Sequence, residues 1–315
     1  MADKHSIIKD VANVLRGLCM GAADIVPGVS GGTVALLLGI YPRLLTAISH
    51  VDGTLFGLLK SAKWREAAEY LDLRFLLTLV LGIGSSVLLL SGVIHHLLDE
   101  YPELTMSVFF GLILASGILV LRLVGPKTPA QQTQCVIMAI IGACLATWLV
   151  LGGYLQPQDN LLYVFGCGAV GICAMILPGI SGSYILLLLG KYHQIIEIVH
   201  HLKAGQLTRD ELTTLVVFAS GCLIGLLVFS KILKALLSRF YVPTISLLGG
   251  FMLGSLAKIW PWQNQVADAP EGITRPDWPA EFNTQVIYCL ALAVGSFAFV
   301  LVADYLAQNR KSAKG

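Results

Sequence analysis

Long stretches of this chain carry no aspartate, glutamate, lysine or arginine: residues 75–98, 104–121, 128–158, 160–190, 212–230, 240–257 and 282–303. A helix needs about 20 mostly apolar residues to cross the hydrocarbon of a bilayer. Most of these runs meet that length. Over all 315 residues the chain is 56% hydrophobic and 13% charged, with a mean hydropathy of +0.77. Soluble domains carry about 25% charged residues, so the charge that a water-facing surface requires is missing. The chain reads as an all-α polytopic membrane protein.

The first 20 residues do not form a cleaved signal. Lys4 and Lys9 are followed by Asp10, Asn13 and Arg16, which interrupt any apolar core, and no small-residue cleavage site follows. A net charge of +2 argues against a nucleic-acid partner. The cysteines at 19, 135, 144, 167, 173, 222 and 289 lie in apolar runs without a CxxC pair. They are read as small packing residues rather than disulfides or metal ligands. Neither a metal nor a cofactor is expected.

Residues 22–41 read AADIVPGVSGGTVALLLGIY and residues 173–192 read CAMILPGISGSYILLLLGKY. At a constant offset of 151, eleven of these twenty positions are identical, among them Pro27/Pro178, Gly28/Gly179, Ser30/Ser181, Gly31/Gly182, Gly39/Gly190 and Tyr41/Tyr192. Weaker similarity continues at offset 139, where Gly82 meets Gly221 and Gly111 meets Gly250. The second half therefore has a connection twelve residues shorter. Matching leucines are cheap in a membrane chain, but an ungapped Pro-Gly-x-Ser-Gly is not. The chain is a repeat of two halves.

Positive charge orients membrane helices. If each Pro-Gly segment is a re-entrant hairpin, each half keeps three true spans. The first half, 1–155, has a hairpin at 10–50 and spans at 74–98, 104–122 and 134–154. The second, 156–315, has a hairpin at 161–200 and spans at 212–237, 242–259 and 284–306. With a cytoplasmic N-terminus, only Lys191, Lys203, Arg209, Lys258 and Arg275 of the 21 basic residues fall outside. Three is odd, so the halves are inverted repeats, with both termini cytoplasmic. Such repeats, with broken helices meeting near the midplane, belong to secondary transporters. Full crossing by the Pro-Gly segments would instead give parallel repeats and an external 51–72 loop, which fits its charges less well.

Proline cannot continue a helix, and the glycine after it allows unusual backbone angles. Each segment reads helix, break, helix, with the second helix starting near Ser30–Thr33 or Ser181–Tyr184. Unpaired backbone survives at membrane depth only where protein or a water-filled cavity receives it. The first N–H groups of that second helix are expected to be unpaired, at the positive end of its dipole, and to form an anion site. Ser30, Thr33, Ser181 and Ser183 add hydroxyls, while Gly31, Gly32 and Gly182 let a bulky anion approach. Helix packing through Gly and Ser is the plainer account, but packing alone does not require the same motif twice.

GAADIVPGVSGGTVALLLGIYPRLL, with MILPGISGSYILLLLGKY as second copy, resembles the bacterial polyprenyl-phosphate translocase family, formerly a domain of unknown function. The resemblance covers nearly the whole chain. It implies return of undecaprenyl phosphate, the carrier lipid of wall synthesis, from the outer to the inner leaflet of the bacterial cytoplasmic membrane. The headgroup site would comprise Pro27, Gly28, Ser30, Gly31, Gly32, Thr33, Pro178, Gly179, Ser181, Gly182 and Ser183. The segments also look like part of the integral-membrane undecaprenyl-pyrophosphate phosphatases, which carry Pro-Gly-x-Ser-Arg-Ser with paired glutamates. Here Gly31 and Gly182 stand where the arginine would be. Phosphoryl transfer depends on positive groups that stabilise transition-state charge, so the departure favours a carrier over an enzyme. A transporter of small anions is the other alternative.

Asp24, three residues before Pro27, has Met175 as its counterpart. An acid at this depth is costly and is by default a functional residue. It is the candidate carrier of a coupling proton, with an internal partner for Arg16 or Arg43, or a hydrogen-bonded structural acid, as the competing account. Arg43 and Lys191 stand one near each mouth, as candidates to attract the headgroup or to snorkel. His95, His96, His193, His200 and His201 mark a polar boundary, without metal-site spacing. The expected partners are undecaprenyl phosphate and membrane lipids; a second copy of the chain is left open.

Overall fold

The computed structural model describes residues 4–26, 29–125, 128–158, 160–266, 272–279 and 281–312. The first half runs α1 (Lys4–Ile25), α2 (Gly31–Leu37), α3 (Tyr41–Ser49), α4 (Gly53–Lys60), α5 (Trp64–Tyr70), α6 (Leu73–Glu100), α7 (Pro102–Leu123) and α8 (Pro129–Leu151). The second half runs α9 (Leu161–Ile176), α10 (Gly182–Leu188), α11 (Tyr192–Ala204), α12 (Arg209–Arg239), α13 (Tyr241–Gly254) and α14 (Thr284–Ser312). The order is the same apart from α4 and α5, which sit where the sequence offset changes. Those two helices and the turn between them carry the charged Lys60, Lys63, Arg65, Glu66 and Glu69. Asp52 caps α4 by accepting the N–H groups of Thr54 and Leu55 and the Tyr70 hydroxyl. The Leu55 bond foremost holds its carboxyl below the ordinary aspartate range.

Among the described residues, five helices are long and apolar enough to cross a membrane: Leu73–Glu100, Pro102–Leu123, Pro129–Leu151, Arg209–Arg239 and Thr284–Leu306. They match five of the six expected spans. Their outward surfaces are apolar, with Leu88 84% exposed and Trp148 71%. Monomeric soluble proteins rarely leave such faces uncovered, whereas lipid accepts them. The chain is thus a multi-pass, mostly helical membrane protein. The α2–α3 pair is apolar too but bends by 117°, as a broken span or re-entrant loop would.

The span expected at 242–259 falls on α13 and a 3-10 turn (Ser255–Ala257), which together cover Tyr241–Ala257. Its core, Thr244 through Met252, is largely buried in protein, so protein rather than lipid sets its length. The connection before α14 has structure of its own. It holds an antiparallel ribbon, β1 (Gln263–Gln265) and β2 (Thr274–Pro276), with Gln263 opposite Pro276. The Lys258 ammonium donates to the Gly272 carbonyl and the Thr274 hydroxyl there.

The helices form two compact units, one of residues 1–89 with 153–239, the other of 90–152 with 240–315. Each is built on glycines. In the first, a Cβ on Gly82 of α6 would stand 2.2 Å from the Val14 carbonyl oxygen of α1. One on Gly221 of α12 would stand 2.2 Å from the Phe165 carbonyl oxygen of α9. Gly17 and Gly168 return these contacts, toward Leu79 and Phe218. Gly17 and Gly168 are related by the offset of 151, and Gly82 and Gly221 by that of 139, so one crossing has been used twice. In the second unit, Gly111 of α7 abuts Ala293 of α14, and Gly250 of α13 abuts Ala139 of α8. Each half's second span packs on the other half's third. Small residues let backbones approach where lipid removes the hydrophobic drive between helices.

Candidate functional site

Both hairpins lie in the first unit and touch each other. Pro27 and Gly28 lie outside the described residues. The first hairpin resumes at Ser30, whose extended backbone (φ −129°, ψ 132°) caps α2. Its hydroxyl accepts the Gly32 N–H at 3.1 Å and donates to the carbonyls of Leu177 at 3.2 Å and Met175 at 3.4 Å. The Tyr41 hydroxyl donates to the Ile176 carbonyl at 3.0 Å. These carbonyls end α9, and the last carbonyls of a helix have no partner within it. The first hairpin therefore supplies donors that the second needs. A Cβ on Gly32 would sit 2.7 Å from the Ile176 oxygen, so this position requires glycine.

Asp24 reaches forward from α1 and accepts the Gly31 N–H at 2.6 Å. Arg16 donates to Asn13 and Arg43 to Asp72, so neither arginine uses Asp24 as its hydrogen-bond acceptor here. A Cβ on Gly31 would meet Asp24 Oδ2 at 2.5 Å. At the matching place in the second copy, a Cβ on Gly182 would meet the Gly171 oxygen at 2.6 Å and Met175 Cβ at 3.1 Å. Met175 is the counterpart of Asp24, so the contact recurs with the acid replaced by a thioether.

The expected anion site of free N–H groups is changed by this geometry. At α2, Gly31 N–H is taken by Asp24, Gly32 N–H by the Ser30 hydroxyl, and Thr33 N–H by the Ser30 carbonyl. The protein's own carboxylate stands where an anion would. At α10, Gly179 adopts φ +98°, and Ser181 begins the helix without a side-chain cap. The Ser181 and Ser183 hydroxyls lie 2.6 Å apart. Thr33 Oγ1 is buried without a hydrogen-bond partner among the described residues. After each short helix, Gly39 and Gly190 take left-handed angles of +70° and +69°. There they close matching C-terminal turns.

The two bases at the mouths differ. Arg43 makes a two-pronged ion pair with Asp72, at 2.6 and 3.0 Å, and lies over the Phe75 ring. Lys191 is 2% exposed and donates to Gln194 at 2.8 Å. Sequence reasoning missed Asp72, Gln194 and the Tyr41 hydroxyl as partners. The Tyr41/Tyr192 identity was the available signal for the last. Among the described residues no group of three or more His, Cys, Asp and Glu is placed to hold a metal. His201 instead pairs with Glu211.

Residues 20–273 match the family model described as undecaprenyl phosphate translocase-like. A polyprenyl-phosphate transporter of Vibrio cholerae is 37% identical over 95% of this chain and 97% of its own length. One of Staphylococcus aureus is 32% identical over 79% of this chain and 86% of its own. No solved structure matches the chain. With a family model covering most of its length and one relative aligned nearly end to end, the chain belongs to the undecaprenyl phosphate translocase-like family.

Proposed function

We propose that this chain returns undecaprenyl phosphate from the outer to the inner leaflet of the bacterial cytoplasmic membrane, as a carrier and not an enzyme. The observation that supports the reading is the pair of hairpins joined by the Ser30 and Tyr41 hydroxyls, with the hydroxyls of Thr33, Ser181 and Ser183 on the same two segments. The halves are inverted repeats, 1–155 and 156–315, whose hairpins enter from opposite faces. Ser181, Gly182, Ser183 and Thr33 receive the headgroup, while Ser30 and Tyr41 hold the two hairpins together. Pro178 and Gly179 shape the second break, and Gly31 and Gly32 keep the approach close. Lys191 marks the outer mouth and Arg43 the inner.

Asp24 supplies the coupling. Ionised, it occupies the start of α2 and repels an incoming phosphate. Protonated, it no longer repels the phosphate and holds the Gly31 N–H less strongly, so an anion can displace it. The transported proton thus exchanges one anion for another at a single backbone donor. A carrier must also let go, and neutral donors suit that: a hydrogen bond to a charged group contributes about 1.5–3 kcal/mol. An enzyme would need a fixed cation at Gly31 or Gly182 to stabilise growing charge.

Purified protein should bind undecaprenyl phosphate and release no inorganic phosphate from the pyrophosphate form. Ser181→Ala with Ser183→Ala should weaken binding about tenfold or more, since about 1.4 kcal/mol is tenfold. Phosphate release above background, lost in that double variant, would install the phosphatase instead.

A further inference from the structure

The faces of α9 can be assigned one by one. Phe165, Gly168 and Ala169 pack on α12, where Gly221 and Gly225 receive them. Gly171 and Met175 pack on α10 through Leu186 and Gly182. The remaining face carries Leu162, Tyr163, Gly166 and Val170, and it lines a groove of about 370 Å³ whose upper end is Gln158 and Asn160. Leu162 is 81% exposed and Val170 52%. A Cβ added to Gly166 would meet nothing within 4 Å, so the glycine leaves the groove open rather than serving a helix contact. The Tyr163 hydroxyl donates to the Leu189 carbonyl at 2.8 Å, which makes the groove wall continuous with the end of α10.

We infer that this groove is the lateral docking site for the isoprenoid chain of the lipid, held beside the second hairpin before its headgroup is carried across. The inference rests on the polyprenyl-phosphate reading and adds the route of entry. Its order of chemistry is that of a lipid in one leaflet, with amides at the top and an apolar channel below. Its length agrees as well. From Asn160 to Val170 the helix rises about 15 Å at 1.5 Å per residue, half of a hydrocarbon core about 30 Å thick. A water-soluble anion has no use for such a groove, so the same feature counts against a small-anion transporter.

The test is photolabelling in phosphatidylglycerol vesicles with a polyprenyl phosphate that carries a diazirine midway along its tail. Labelled peptides should come from 161–176, and unlabelled undecaprenyl phosphate should compete. Gly166→Trp, whose Cβ would meet nothing within 4 Å, should obstruct the groove and lower that labelling about tenfold, the equivalent of about 1.4 kcal/mol. Equal labelling of α9 by a phosphatidylglycerol carrying the same diazirine would overturn the inference, because the groove would then hold bulk lipid. Labelling elsewhere by an unmodified protein that still moves polyprenyl phosphate in the same vesicles would remove the groove and leave the carrier. Protein that neither labels nor transports would remove both.

Discussion

Gly31→Ala isolates the contact between α1 and the start of α2. The new Cβ would stand 2.5 Å from Asp24 Oδ2 and 2.9 Å from its Cγ, where an ordinary contact is 3.4 Å or more. The carboxylate must move by several tenths of an ångström, and the 2.6 Å bond from Gly31 N–H cannot survive that shift unchanged. Overpacking costs about 1–3 kcal/mol, and a hydrogen bond to a charged group is worth about 1.5–3 kcal/mol. Because the atom met is the end of a side chain that can turn aside, overpacking falls at its low end and a loss of about 2.5–4 kcal/mol follows. Asp24→Ala alone should cost about 1.5–3 kcal/mol by losing the cap. Together the two changes should cost less than their sum by 1 kcal/mol or more, because the truncated side chain no longer opposes the methyl group. Thermal unfolding in detergent reads this out, at roughly 2 °C or less per kcal/mol for a chain of this size. Strict additivity would show that Gly31 and Asp24 do not constrain each other, and would refute the account of that glycine.

Two further outcomes follow from the helix arrangement. Single cysteines at Lys63 and Gln158, in an otherwise cysteine-free protein, should label from the cytoplasmic and periplasmic sides of intact cells respectively; finding position 63 outside would end the inverted-repeat proposal. Gly82→Ala and Gly221→Ala should each destabilise by about 1–3 kcal/mol, since both methyl groups would fall 2.2 Å from a facing carbonyl. A neutral result at either position, read by the same melting assay, would show that the crossing yields.

Much of this was legible in the sequence, for physical reasons. Charge-free runs locate spans because lipid tolerates few charges, and five of the six expected spans are helices of crossing length. The offsets between the halves led to Gly82/Gly221 and Gly111/Gly250, each of which stands at a close helix crossing. Periodicity could not show that α13 would be buried among its neighbours rather than face lipid. It also could not show that Asp24 would fill the start of α2. That depends on how a helix–break–helix folds back, and seven residues separate the two groups. The Ser30 and Tyr41 bonds to α9 lay further out of reach, being contacts across 145 and 135 residues.

The central claim is movement of a phosphate-bearing lipid between leaflets, coupled through Asp24, and it can be measured directly. Polyprenyl phosphate is placed in both leaflets of sealed vesicles, and a soluble phosphatase is added outside. Without the protein, cleavage should stop at the outer-leaflet share. With it, cleavage should run to completion, and Asp24→Asn should return the plateau to the outer share while leaving a folded protein. A plateau unchanged by the unmodified protein would contradict the carrier account. Full cleavage with Asp24→Asn at every pH would contradict the coupling.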